Sequence, residues 1–117
     1  MAEDWARPLV FWEIQARDPE MMRTFYTKMF NWDISEGPRM TIAAGVGPPE
    51  PGPAGQIRQS DTSRIGLYIQ VLDLRESLDR AETLGGKITL EPRHNAGRAS
   101  IAAITDPEGN AISLVQQ

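Results

Sequence analysis

Two aspartates, Asp18 and Asp73, constrain this chain more than any other feature. Each follows a strand-like run and opens an amphipathic helical run, and they stand 73 minus 18, or 55, residues apart. Asp18 is placed as an N-cap, with Pro19 at the first helical position, where proline is best tolerated. Met22, Phe25, Tyr26, Met29 and Phe30 then recur at helical spacing and predict a helix ending near Asn31. Asp73 repeats the arrangement with Glu76 three residues on, a capping-box spacing. Leu74, Leu78, Ala81 and Leu84 form its apolar stripe, and Gly85-Gly86 ends it.

Strands fill the rest. Pro8 to Ala16 precedes the first helix. Trp32 to Ser35, Met40 to Ala44 and Gln56 to Gln59 follow it, with Gly37-Pro38 turning the chain between the first two. "GVGPPEPGPAG" (45 to 55), with four Pro and four Gly, reads as an irregular loop. The second half has strands at 65 to 71, Lys87 to Leu90, Ala99 to Thr105 and Ala111 to Val115, the last two joined by the "DPEGN" turn. The order is β-α-β-β-β, twice: an α+β chain of two βαβββ modules, at about 8–60 and 64–117, within one domain.

Composition bounds the function. With 117 residues the chain suits a single core, and 40% hydrophobic with 24% charged residues is ordinary for a soluble domain. A formal net charge of -4 leaves no basic stripe for nucleic acid. No apolar run approaches the ~20 residues a membrane span needs. The "MAEDWARP" start lacks the basic and apolar regions of a signal peptide, so the expected location is the cytoplasm. The absence of cysteine removes disulfides, thiolate metal sites and Cys nucleophiles.

Strand alternation sorts the first strand into two faces. Trp12, Ile14 and Ala16 fall on one, Phe11, Glu13 and Gln15 on the other. In the second half Leu67, Ile69 and Val71 alternate with Gly66, Tyr68 and Gln70.

Three stretches, "ARDPEMMRTFYTKMFNW", "YIQVLDLRESLDRAETLGGKI" and "ITDPEGNAISLVQ", give the chain a wider likeness. From Pro8 to Gln116 it resembles the vicinal oxygen chelate superfamily, the glyoxalase, bleomycin-resistance and extradiol-dioxygenase group. The resemblance implies sheets curled around a cavity with the helices outside. Trp12, Ile14 and Ala16 would then face the first helix and Leu67, Ile69 and Val71 the second, while Phe11, Glu13 and Gln15, with Gly66, Tyr68 and Gln70, would face the cavity. It also implies a homodimer, and a ligand cavity lined by Phe11, Glu13, Gln56, Arg58, Tyr68 and Ser113.

Metal-dependent members place His, Gln or Glu ligands on four strands. The resemblance carries those positions to Phe11, Gly66, Ser113 and either Gln56 or Arg58. Phe and Gly offer no side-chain lone pair, and a metal site needs about three protein ligands. No metal and no other cofactor is therefore expected, and glyoxalase I or extradiol-dioxygenase activity is disfavoured. The sole histidine, His94, lies in the turn-rich "EPRHNAGR" stretch and reads as a surface residue.

Glu13 is the candidate for chemistry. Burial would raise its pKa unless Arg58 or another cation pairs with it. Such a carboxylate could be a structural hydrogen-bond acceptor, a ligand contact or a general base. Gln15 and Gln70, near strand ends, read as solvated. The leading reading is a metal-free binder of a small organic molecule. The alternatives are an enzyme (lyase, isomerase or dioxygenase type) using Glu13 as acid-base or an unrecognised metal site, and a dimeric structural or regulatory domain with a vestigial cavity.

Overall fold

The computed structural model describes residues 6–43, 53–94, 97 and 99–116. The first five residues of the "MAEDWARP" start, Ala44 and most of the Pro-rich loop, and part of the "HNAGR" turn lie outside these residues. Among the described residues, two helices and seven strands, paired both parallel and antiparallel, give an α+β chain. They fall into two compact units, one of residues 11–66, the other of the described residues before and after them.

In the first unit β1 (Leu9–Ala16) leads into α1 (Pro19–Phe30). The Asp18 side chain accepts from the Met21 amide at 3.1 Å, and Asn31 ends the helix in the left-handed conformation, φ 59°. β3 (Gly55–Gln59) runs parallel to β1, and β2 (Met40–Ile42) pairs antiparallel with β3. The strand expected at Trp32 to Ser35 shrinks to one bridge, Ile34 to Ile42. Gly55, assigned from the sequence to the loop, is the first residue of β3.

The core of this unit is Ile14, Ala16, Ile34, Met40, Ile42 and Ile57, with Trp12, Met22, Tyr26 and Trp32 packed on it. The expected stripe of α1 is therefore split. Met22 and Tyr26 face the core, but Phe25, Met29 and Phe30 are exposed, and no residue of α1 is fully buried. Five apolar residues span more of the helix circumference than one sheet face can cover.

The second unit, which β4 (Arg64–Gln70) enters at Leu67, orders its strands β4-β7-β6-β5, with β7 (Ala111–Gln116), β6 (Ser100–Thr105) and β5 (Lys87–Arg93). β4 and β7 are parallel; the other pairs are antiparallel. β5 runs past the expected Leu90 and contains Pro92. The ladder tolerates that proline because β5 is an edge strand whose register with β6 is irregular. α2 (Leu74–Thr83) packs Leu74 and Leu78 with Val71, Ala102 and Leu114, and Ile69 joins them.

Two expected members of these stripes stay outside. Leu84 is the C-cap of α2 and is exposed, and Leu67 is 42% exposed in place of the helix contact expected for it. Asp73 accepts from the Glu76 amide at 3.0 Å, and Gln116 Oε1 accepts from the Leu74 amide at 2.7 Å. In the "DPEGN" turn the Asp106 carboxylate accepts from the Glu108 and Asn110 amides and from Asn110 Nδ2, each at 2.9 Å. Asn110, by side chain and then backbone, holds this carboxyl below its usual range despite the small opposing cost of burial. Among the described residues no helix is long and apolar enough to cross a membrane.

Candidate functional site

The parallel pairing of β1 with β3 sets Glu13 beside Gln56 and Gln15 beside Arg58. Alternation then puts these four side chains on one face, opposite the face where Ile14 meets Ile57 in the core. Gly55 fixes the start of this register. A Cβ there would stand 2.5 Å from the Trp12 indole, so only glycine lets the two strands close at that point. The same indole donates from Nε1 to the Pro53 carbonyl at 2.9 Å, which fastens the entry to β3.

Glu13 is 2% exposed, yet both its oxygens are well supplied with donors. Oε1 accepts from Gln56 Nε2 at 2.8 Å and from Arg58 Nε at 3.3 Å. Oε2 accepts from Gln15 Nε2 at 2.8 Å and from Arg58 Nη2 at 3.0 Å. Arg58 thus grips the carboxylate with two nitrogens of its fork, the geometry that makes such pairs strong and directional. Burial is the largest single influence on Glu13 and pushes its pKa up. The hydrogen bonds from Arg58, Gln56 and Gln15, with the Arg58 charge, outweigh it and hold the carboxyl below its usual range. The pairing with Arg58 on which the sequence expectation turned is present, so the carboxylate is ionised at neutral pH.

Gln15, which alternation sets on the face of Glu13 but which reads as solvated near a strand end, is a direct donor to Glu13. The available signal was its position two residues after Glu13, on the same strand face. Gly66 lies next to this group: a Cβ built there would stand 3.6 Å from Glu13 Cγ and 3.8 Å from Gln15 Nε2. Phe11 lies on β1, two residues before Glu13 and on the same face. Tyr68 and Ser113 belong to the second unit, where they are register partners on the parallel strands β4 and β7. His94 is also in the second unit, exposed, its Nδ1 2.7 Å from Ser100 Oγ.

These residues do not fit a divalent metal. Of the implied ligand positions Phe11 and Gly66 bring no donor, and Ser113 is a poor one. Glu13, the nearest carboxylate, already faces a guanidinium, which an incoming cation would have to displace. Among the described residues no three His, Cys, Asp or Glu side chains gather into a group that could hold an ion.

Comparison with known proteins decides the family. Residues 9–115 match the family model of the glyoxalase-like domain. The chain belongs to the glyoxalase-like domain family. No curated protein sequence matches it. Among solved structures, a glyoxalase/bleomycin resistance protein/dioxygenase superfamily member from Vibrio splendidus 12B01 superposes with a TM-score of 0.68 at 13% identity, covering 96% of this chain and 100% of that one. A hypothetical protein from Bacillus halodurans C-125 gives 0.69 at 12% identity, over 97% and 96% of the two chains. Methylmalonyl-CoA epimerase from Mycobacterium tuberculosis gives 0.61 at 18%, over 92% and 86%. These glyoxalase-like likenesses establish the vicinal oxygen chelate fold, and a fold is shared by many activities.

Proposed function

We propose that this glyoxalase-like protein binds a small organic molecule on the β1–β3 face that carries Glu13, Gln56 and Arg58. It does so without a metal ion, as a homodimer in the cytoplasm. The observation that carries this reading is the Glu13–Arg58 pair. A buried carboxylate holds Nε and Nη2 of a guanidinium whose side chain is still 49% exposed. That is a cationic donor group of fixed orientation, reachable from solvent, on a strand face that α1 does not cover. The bare backbone at Gly66 leaves room beside Glu13 where another side chain would otherwise stand.

Binding is favoured over acid-base catalysis by Glu13. A general base must accept a proton, and four donor contacts together with a lowered pKa make this carboxylate a weak one. Its role in this reading is to orient Arg58 and Gln56.

A thermal-shift screen of small organic acids, amides and alcohols tests the proposal with the unaltered protein and Arg58→Ala. A ligand at a hundred times its Kd stabilises by about 2.7 kcal/mol, or several degrees in Tm for a domain of this size. At least one compound is expected to raise Tm in the unaltered protein and not in the variant. Equal shifts in both proteins, or none across the screen, count against the site.

A further inference from the structure

The two helices meet their sheets with side chains of different size. Aligning the capping aspartates, Asp18 and Asp73, sets Ser77 at the place of Met22 and Ala81 at the place of Tyr26. In the first unit Met22 and Tyr26 pack on the core, and Tyr26 stacks on Trp32 with 5.4 Å between ring centroids. In the second unit Ser77 and Ala81 are too short to fill the same place. What they leave is an open groove of about 430 Å³ beside α2. Small-molecule sites fall in a range of roughly 300–1,000 Å³.

The groove is apolar at its floor and charged at its rim. Val71 and Leu114 form the floor and belong to the buried cluster of this unit, with Ile104 packed against it. Leu84 also lines the groove and is 71% exposed, so an apolar guest would cover a side chain that faces water. Going round α2 from Leu74 and Leu78 at ~100° per residue, Ala81 comes first, Ser77 next, then Arg80, and Glu76 lies furthest out. The deeper wall is therefore small and carries one hydroxyl, and the first charge beyond it is the Arg80 guanidinium. Arg7 adds a second guanidinium to the same lining. Two cations against one carboxylate favour an anion, on a chain whose formal net charge is -4. Among the described residues Arg80 makes no ion pair, so none has to be broken for it to turn to a guest.

We propose that this groove is a further binding site, whose ligand is a small monocarboxylate with an apolar chain or ring. The apolar part lies on Val71, Ile104 and Leu114 beside Ala81, and the carboxylate meets Arg80 and the Ser77 hydroxyl. Guanidinium and carboxylate pair strongly and with fixed direction, which orients a ligand that the apolar floor alone would leave free to turn. The site lies wholly in the second unit, and its ligand makes no use of Glu13 or Arg58.

Isothermal titration calorimetry of the whole chain tests it with sodium octanoate, beside n-octylamine, which carries the same chain and the opposite charge. Octanoate is expected to bind with a Kd below about 1 mM, and octylamine at least ~tenfold more weakly. Arg80→Ala changes an exposed residue and should weaken octanoate about tenfold. Ser77→Met gives the groove the side chain that the first unit carries and should abolish binding, with the urea midpoint no lower. Octylamine binding as tightly as octanoate overturns the proposal, as does no binding of octanoate up to about 10 mM. An affinity untouched by both Arg80→Ala and Ser77→Met overturns it as well. Binding lost in Arg58→Ala moves the acid to the β1–β3 face and overturns this groove while leaving the proposed function standing. Octanoate that binds Trp5→Ala and not the unaltered protein makes the chain's own first residues the occupant, and that too overturns the site.

Discussion

Keeping Glu13 ionised while buried would cost several kcal/mol if donors did not replace the water it loses. Here two amides and a two-pronged guanidinium replace it, so the arrangement behaves as a unit. Glu13→Gln brings an amide N–H against donors already aimed at an oxygen. It should lower stability by ~2 kcal/mol at pH 7, read by chemical denaturation. The difference should also depend on pH. A carboxyl whose folded pKa is depressed contributes stability above its unfolded pKa, about 4.3, and loses it as pH falls through the folded value. The gap between the unaltered protein and Glu13→Gln should therefore narrow below about pH 4. A gap that stays constant from pH 7 to pH 3 would show that the charge on Glu13 is not what the cluster stabilises. Strand alternation exposed Glu13, and the family resemblance pointed to Gln56 and Arg58. Alternation set Gln15 on the face of Glu13 but did not give its hydrogen bond, because it fixes the face a side chain shares and not which neighbour its end reaches.

Among the elements, the two Asp-capped helices were the most readable, since cap, first-turn residues and apolar period agree in each. The strand at Trp32 to Ser35 was overread, because a half-apolar run next to a turn does not establish how much of it pairs. Gly55 went to the loop by composition, although it is the strand's first residue for a packing reason that composition cannot carry. Gly55→Ala forces a Cβ into the Trp12 ring. It should cost about 1–3 kcal/mol, with a drop in Tm of several degrees by differential scanning calorimetry. An unchanged Tm would mean that β3 reaches its register without that close approach. Gln116→Ala removes the acceptor on the Leu74 amide and should cost ~1 kcal/mol, visible as a lower urea midpoint at unchanged slope.

At the scale of the whole molecule, 13% identity beside a TM-score of 0.68 says that the fold is carried by pattern and not by particular residues. The likeness of three stretches of sequence pointed to the family, and residues 9–115 match its model. The ligand was not readable, because the same scaffold serves many chemistries and the deciding side chains need not recur. The central claim is that an arginine, not a metal, serves the Glu13 carboxylate. Its most direct test is metal content by inductively coupled plasma mass spectrometry after incubation with Mn, Fe, Co, Ni and Zn and desalting. The account predicts less than about a tenth of an equivalent of every metal, since Glu13 alone cannot supply the ~3 protein ligands a stable site needs. Near one equivalent of any metal, abolished by Glu13→Gln, would contradict it and return this protein to metal-dependent chemistry.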